Sequence, residues 1–217
     1  MNVFNSLIDQ SEVIEILKEA VKSAQKLNDS SQVMTNTWLF TGPPGSGRSN
    51  AAVAFAAALV CKEGGCSKCN NCLSTILGTH ADVELIKTQG LSIKIDEVRE
   101  LITRASWAPS VANYRVVVIE DADRLTDSAA NALLKVIEEP GLRTIWLLCA
   151  PTLTDVLPTI RSRCRHLSLR TPSTKAVANL LIERESIDPK TAEFAARAAG
   201  GHIGRARRLA TDDNAKQ

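Results

Sequence analysis

Three clusters of residues in this chain have the types and the spacing to do chemistry. The first is TGPPGSGRS, Thr41 to Ser49. Gly42 and Gly47 frame four residues and Ser49 follows, as in the phosphate-binding pattern G-x-x-x-x-G-K-[ST]. Glycines let such a loop turn its amides inward, and a helix starting there adds its positive end. Gly42, Pro43, Pro44, Gly45, Ser46, Gly47, Arg48 and Ser49 are therefore candidate phosphate-binding residues, with Ser49 placed to meet Mg²⁺. Arg48 stands where the pattern has lysine. It keeps the charge, but its planar head is larger and its donors are fixed, so the two are not interchangeable in a cramped pocket.

The second cluster is EDAD, Glu120 to Asp123, directly after the β-branched run VVVI. A site that hydrolyses ATP in this layout places Asp and then Glu here. The Asp helps hold Mg²⁺ and the Glu orients the attacking water. In this chain the order is reversed. Glu120 is one methylene too long for the first role and Asp121 one too short for the second, and a misplacement on the order of 1 Å can cost about 100-fold in rate. The expectation is a degenerate site for ATP or ADP with little or no hydrolysis. The third cluster is Cys61-x4-Cys66-x2-Cys69-x2-Cys72. Four thiolates at this density form a tetrahedral Zn²⁺ site, and with no His or acid to leave a position open the zinc is structural. Of the other two cysteines, Cys149 falls on a buried strand, where a core thiol is the default. Cys164 sits beside arginines and could be reactive.

These clusters need elements to hold them. The chain has 217 residues, 44% apolar and only 4% aromatic, so Ala, Leu, Ile and Val must build its core. Its net charge of +2 gives no sign of nucleic-acid binding. No apolar run is long enough for a membrane span, and the N-terminus lacks a signal peptide's pattern, so a cytoplasmic protein is expected. Apolar periodicity predicts a helix over 6–27, then a polar loop over 28–36. Strand TWLFT leads into the glycine loop and an Ala-rich helix follows, the context that a phosphate loop requires. Strands are predicted over 82–87, 115–120, 144–150 and 165–170, and helices over 96–106 and 127–139. The alternation implies an α/β fold, a parallel sheet with helices on both faces. Residues 173–211 show only helical periodicity, broken at SIDPK and GGHIG, so 1–171 is read as one domain and 172–217 as a small all-α one.

The combination resembles a bacterial clamp-loader subunit of the AAA+ class. GPPGSGRS, the cysteines after the next helix, VVVIEDADRLT, AANALLKVIEEP and SRC (162–164) carry the resemblance. It implies a P-loop domain with the zinc knob inserted at 61–72, then a helical lid. It implies a role in DNA replication as part of DNA polymerase III, with other subunits (gamma/tau and delta type), a sliding clamp and primed DNA as partners through the complex. Arg48, the reversed acids, and Ala150 or Pro151 where the family's ATPases carry a threonine all point to the non-hydrolysing, delta prime type. An ATP-hydrolysing subunit of the gamma/tau type, or another AAA+ ATPase, is the alternative. The resemblance makes Arg163 of SRC an arginine finger, acting in trans on a neighbour's ATP, flanked by Arg161 and Arg165. It makes Arg205 the sensor 2 arginine, with Arg207 and Arg208 as competitors. The family's collar domain is missing from the sequence, so a truncated chain, monomeric in isolation, is expected. A third reading, in which the knob reads DNA, finds no support in charge: Lys62 and Lys68 lack an aromatic platform.

Overall fold

The structure is a computed structural model and describes residues 2–26, 35–88, 90–141 and 143–211. Most of the loop expected over 28–36 lies outside the described residues. Five strands, β1 Thr37–Thr41, β2 Val83–Ile86, β3 Arg115–Ile119, β4 Thr144–Ala150 and β5 Arg165–Ser168, form one parallel sheet in the order β2-β3-β4-β1-β5. The central strands β1, β3 and β4 are buried along their whole length, which is why they read as unbroken apolar runs.

Strand alternation divides the core in two. Trp38, Phe40, Val116, Val118, Ile145, Leu147 and Cys149 point to the face covered by α1 Ser11–Gln25, α2 Arg48–Val60 and α3 Asn70–Ile76. Leu39, Val117, Ile119, Trp146 and Leu148 point to the opposite face, covered by α4 Ile95–Ala105, α5 Asp127–Glu138 and α6 Pro158–Arg161. The Ala-rich α2 is buried from Ala54 to Val60, because small side chains let it approach the sheet and the N-terminal turn together. Its Phe55 meets Trp38 edge-on at 5.0 Å between ring centroids.

The expected 6–27 helix begins late. Val3–Ser6 is a 3₁₀ turn capped by Asn2, Asp9 takes a φ of 56°, and α1 starts at Ser11. The reason is that Leu7 and Ile8 serve two different cores. Leu7 packs with α1 and α2, whereas Ile8 packs against the C-terminal helices. Those are α7 Thr174–Glu185, α8 Pro189–Ala198 and α9 Ile203–Thr211, with their own apolar cluster around Val177, Leu181, Ala192, Ala195 and Ala206. Their breaks fall at SIDPK and GGHIG, where Asp188 caps α8 ahead of Pro189 and Gly200 and Gly201 take positive φ.

Residues 3–10 tie the parts together. The Val3 amide donates to Gly65 in the cysteine segment (2.9 Å), and Arg184 of α7 donates to the Asn5 carbonyl (2.5 Å). The Asp9 carboxylate accepts from the Ser173 amide and hydroxyl at 2.9 and 2.7 Å. Gln10 donates to the Arg170 carbonyl at 2.6 Å.

One buried acid fixes the approach to β3. Asp82, wholly buried, accepts hydrogen bonds of 2.7 to 2.9 Å from Ser110 (amide and hydroxyl), Val111 and Ala112, and pairs with Arg115 at 3.4 Å. Burial alone would raise its pKa. The Ser110, Ala112 and Val111 donors outweigh that and hold it at about 2. Among the described residues no helix is long and apolar enough to cross a membrane.

Candidate functional site

The glycine loop leaves the carboxyl end of β1, where the sheet's connectivity changes direction: β4 lies on one side, β5 on the other, and the chain next travels to the far edge. In open parallel sheets this is where ligands bind. Gly45 and Gly47 take φ values of 90° and 85°, which side chains rarely adopt, and Gly47 is the N-cap of α2. The Gly42 amide donates to the Pro151 carbonyl at 3.1 Å, anchoring the loop to the end of β4.

Arg48 does not reach outward. Its Nη1 donates to the Gly42 carbonyl of the same loop at 2.7 Å, and its Nε is buried without a partner. The Ser46 hydroxyl is likewise buried and unpartnered. The loop borders a cleft of about 470 Å³ lined by Pro44, Gly45, Gly47, Arg48, Ser49 and Asn50. Across it stand Lys87 and Glu120, from the ends of β2 and β3, and the turn His202, Ile203 and Gly204 ahead of α9. A Cβ added at Gly45 would stand 2.7 Å from the His202 ring, so the helical segment rests directly on the loop.

The acids separate. Glu120 lines the cleft, continues the ladder by donating its amide to Ile86 (3.0 Å), and pairs with Lys87 at 3.6 Å. Asp121 precedes the 3₁₀ turn Ala122–Arg124 and is not among the cleft's lining residues. Arg205 is exposed on α9, also away from the lining, and its amide donates to His202 Nδ1 at 3.3 Å. Arg207 pairs with Glu185 at 2.6 Å and Arg208 is exposed. Sequence reasoning missed Lys87 and His202. The one faint signal was a histidine framed by glycines in GGHIG.

The SRC segment forms a second charged corner, and the cleft lining does not include it. α6 is a single turn started by Pro158, with Ser162 as its C-cap. Arg163 Nη1 donates to the Thr159 carbonyl (2.8 Å) and the Ser162 hydroxyl (3.2 Å). Its Nη2 pairs with Glu138, the last residue of α5, at 2.7 Å. The flanking arginines are engaged elsewhere: Arg161 donates to Leu153 (3.3 Å), and Arg165 lies over the Trp38 ring at 4.8 Å. Burial pushes the Cys164 pKa up to about 12, which disfavours its thiolate.

The four clustered cysteines converge. Their sulfurs all lie within 4.8 Å of one another, with Cys61 Sγ 3.7 Å from both Cys66 and Cys69. Four sulfurs on a tetrahedron about 2.3 Å from a zinc ion stand about 3.8 Å apart, so the residues present fit the metal. Backbone amides already face the sulfurs: Cys66 N to Cys61, Cys69 N to Cys66 and Cys72 N to Cys69, at 3.4 to 3.5 Å. Such donors favour thiolates. Burial raises the Cys61 pKa, but amides of Cys66, Gly65 and Glu63 outweigh it and bring the value down to about 7. Burial dominates at Cys72 and raises it. Cys69 also caps α3, a helix that the sequence reading did not anticipate.

A family model described as "DNA polymerase III, delta subunit" matches residues 10–173. The chain is 34% identical over 166 residues to DNA polymerase III subunit delta' of Bacillus subtilis, covering 75% of this chain and 50% of that one. It is 33% identical over 178 residues to the gamma/tau subunit of Mycobacterium bovis, covering 77% and 31%. The chain thus spans half or less of the length of these relatives. Among solved structures, the RuvB Holliday junction branch migration motor of Thermotoga maritima superposes with a TM-score of 0.64 at 19% identity, covering 95% of this chain and 62% of that one, which speaks for the AAA+ fold alone.

Proposed function

This chain belongs to the clamp-loader subunit family of DNA polymerase III, and we propose that within it the chain acts as a delta prime type of subunit that lends Arg163 to a neighbour's ATP. In this reading residues 1–171 are the nucleotide-binding-type unit and 172–217 the lid. Cys61, Cys66, Cys69 and Cys72 hold a structural zinc. Gamma/tau-type and delta-type subunits are its partners in the cytoplasm, and together they place a sliding clamp on primed DNA. Arg163, half-exposed on a short rigid turn, would stabilise charge developing on the phosphoryl group transferred in the adjoining site. Its own loop would bind ATP or ADP weakly at best and hydrolyse little.

The observation that carries the reading is the 2.7 Å bond from Arg48 to the Gly42 carbonyl, which turns the loop's cation onto its own backbone. His202 resting on Gly45 and Lys87 pairing with Glu120 crowd the same cleft, which supports it. A second reading, an ATP-hydrolysing subunit, is favoured by the 33% identity to gamma/tau and by the intact glycine geometry.

Phosphate release by the purified chain, alone and with ATP-hydrolysing subunits, tests the proposal. The expected result is background turnover alone and faster turnover by the mixture. Brisk turnover by the chain alone, lost in Gly47→Val, would replace the proposal with the second reading.

A further inference from the structure

We propose that Glu138 is the positioning residue for Arg163, holding the guanidinium so that its Nε side faces outward as the donor for a phosphoryl oxygen on the neighbouring subunit. The inference rests on the finger reading of Arg163 above. A guanidinium carries five N–H donors in one plane. Both hydrogens of Nη1 are committed within α6 and its cap, to the Thr159 carbonyl at 2.8 Å and the Ser162 hydroxyl at 3.2 Å. Nη2 is paired with the Glu138 carboxylate at 2.7 Å. Among the described residues no partner is recorded for Nε. The donors left for an outside anion are therefore Nε–H and the Nη2 hydrogen that Glu138 does not take.

The grip comes from two elements, and Glu138 supplies the half that α6 cannot. Thr159 and Ser162 both belong to the turn that carries Arg163, so they constrain the side chain only relative to itself. Glu138 ends α5, a twelve-residue helix whose Leu133 and Ile137 are buried against the sheet. It references the guanidinium to the core of the subunit. An unrestrained arginine has large rotamer freedom, and a finger that must be ordered in each encounter loses rate for it. The pair is about half in water, 41% exposed at Arg163 and 48% at Glu138, where the attraction between charges is weak. What Glu138 contributes is a fixed acceptor rather than its charge.

That distinction sets the experiment: steady-state ATP hydrolysis by the assembled loader over a range of ATP concentrations, with kcat and KM separated. Glu138→Ala should lower kcat about tenfold and leave KM unchanged, within the loss of about 100-fold that a misplacement on the order of 1 Å brings. Glu138→Gln keeps an acceptor oxygen and should stay within about twofold of wild type. The double variant Arg163→Ala/Glu138→Ala should be no slower than Arg163→Ala alone, because the two residues act as one unit. A full rate in Glu138→Ala, in a loader that Arg163→Ala slows, overturns the positioning role and leaves the finger standing. Glu138→Gln as slow as Glu138→Ala overturns it too, since charge would then be the contribution. An unchanged rate in Arg163→Ala removes the finger reading and this inference with it. Should Glu138→Ala fail to fold, Glu138→Asp, which withdraws the acceptor by one methylene, carries the same comparison.

Discussion

Two arginines of this chain, one in the glycine loop and one at the SRC corner, have opposite surroundings. Arg48 takes the lysine position of a phosphate loop and donates to the loop's own Gly42 carbonyl at 2.7 Å. Arg163 stands on a one-turn helix, gripped from two sides, and keeps 41% of its side chain in water. The same functional group is buried in one place and half in water in the other. Neither residue type nor net charge separates them. Both guanidiniums find a carbonyl of their own turn, Gly42 for Arg48 and Thr159 for Arg163; what separates them is burial, since Arg48 Nε is buried while Arg163 stands half in water.

Substitutions at the two positions test that contrast most severely. In the assembled loader, Arg163→Ala should slow hydrolysis at the adjoining site by about 1000-fold or more, the scale of an arginine finger. Arg48→Ala should stay within about twofold of wild type in the same assay, since on this reading its cation serves only the loop. Equal losses would erase the distinction.

The next effect is smaller and concerns stability, which guards the contrast against a trivial explanation. Asp82→Ala leaves Arg115 buried and uncompensated and should cost about 3 kcal/mol in urea unfolding. Arg163→Ala should cost less than about 0.5 kcal/mol there. The Asp82 contribution also has a pH signature. Its folded pKa of about 2 lies below the usual aspartate value of 3.8, so the stabilisation is complete above about pH 4 and is lost as pH falls towards 2. It amounts to about 2 kcal/mol. The deficit of Asp82→Ala should shrink over that window. A deficit that does not change with pH would mean that packing, not the carboxylate, holds the 110–112 segment.

The smallest effect sharpens the other half of the comparison. Restoring the loop with Arg48→Lys, Glu120→Asp and Asp121→Glu together should tighten binding of a fluorescent ATP analogue about tenfold. No gain would place the obstruction at His202 rather than at Arg48.

Much of this molecule was legible before the structure, for definite reasons. The central strands lie between two layers of helices, so VVVI and TIWLLCA had to be apolar throughout. The cysteines reveal their cluster because four of them fall within twelve residues, and the fold brings their sulfurs within 4.8 Å of one another. The late start of α1 was hidden: Leu7 and Ile8 keep helical spacing while packing into different cores. Helix α3 was hidden because its first turn is written in the same residues as the knob. Within the cleft, Lys87 and His202 were illegible, since each matters only through a neighbour far along the chain: Glu120 for one and Gly45 for the other. Arg205, which the resemblance makes the sensor 2 arginine, stands exposed while His202 in the preceding turn lines the cleft. Periodicity tells which residues share a helix face, not which end of the helix meets a pocket.

The N-terminal peptide takes on a larger part than its length suggests. Val3 is bonded to Gly65 between the first two cysteines, Asn5 receives Arg184 of α7, and Asp9 receives Ser173 at the start of that helix. Seven consecutive residues therefore act as a keystone, with the cysteine knob bearing on one flank and the helical roof above the glycine loop bearing on the other. Two features that look like separate accessories of the sheet share one abutment.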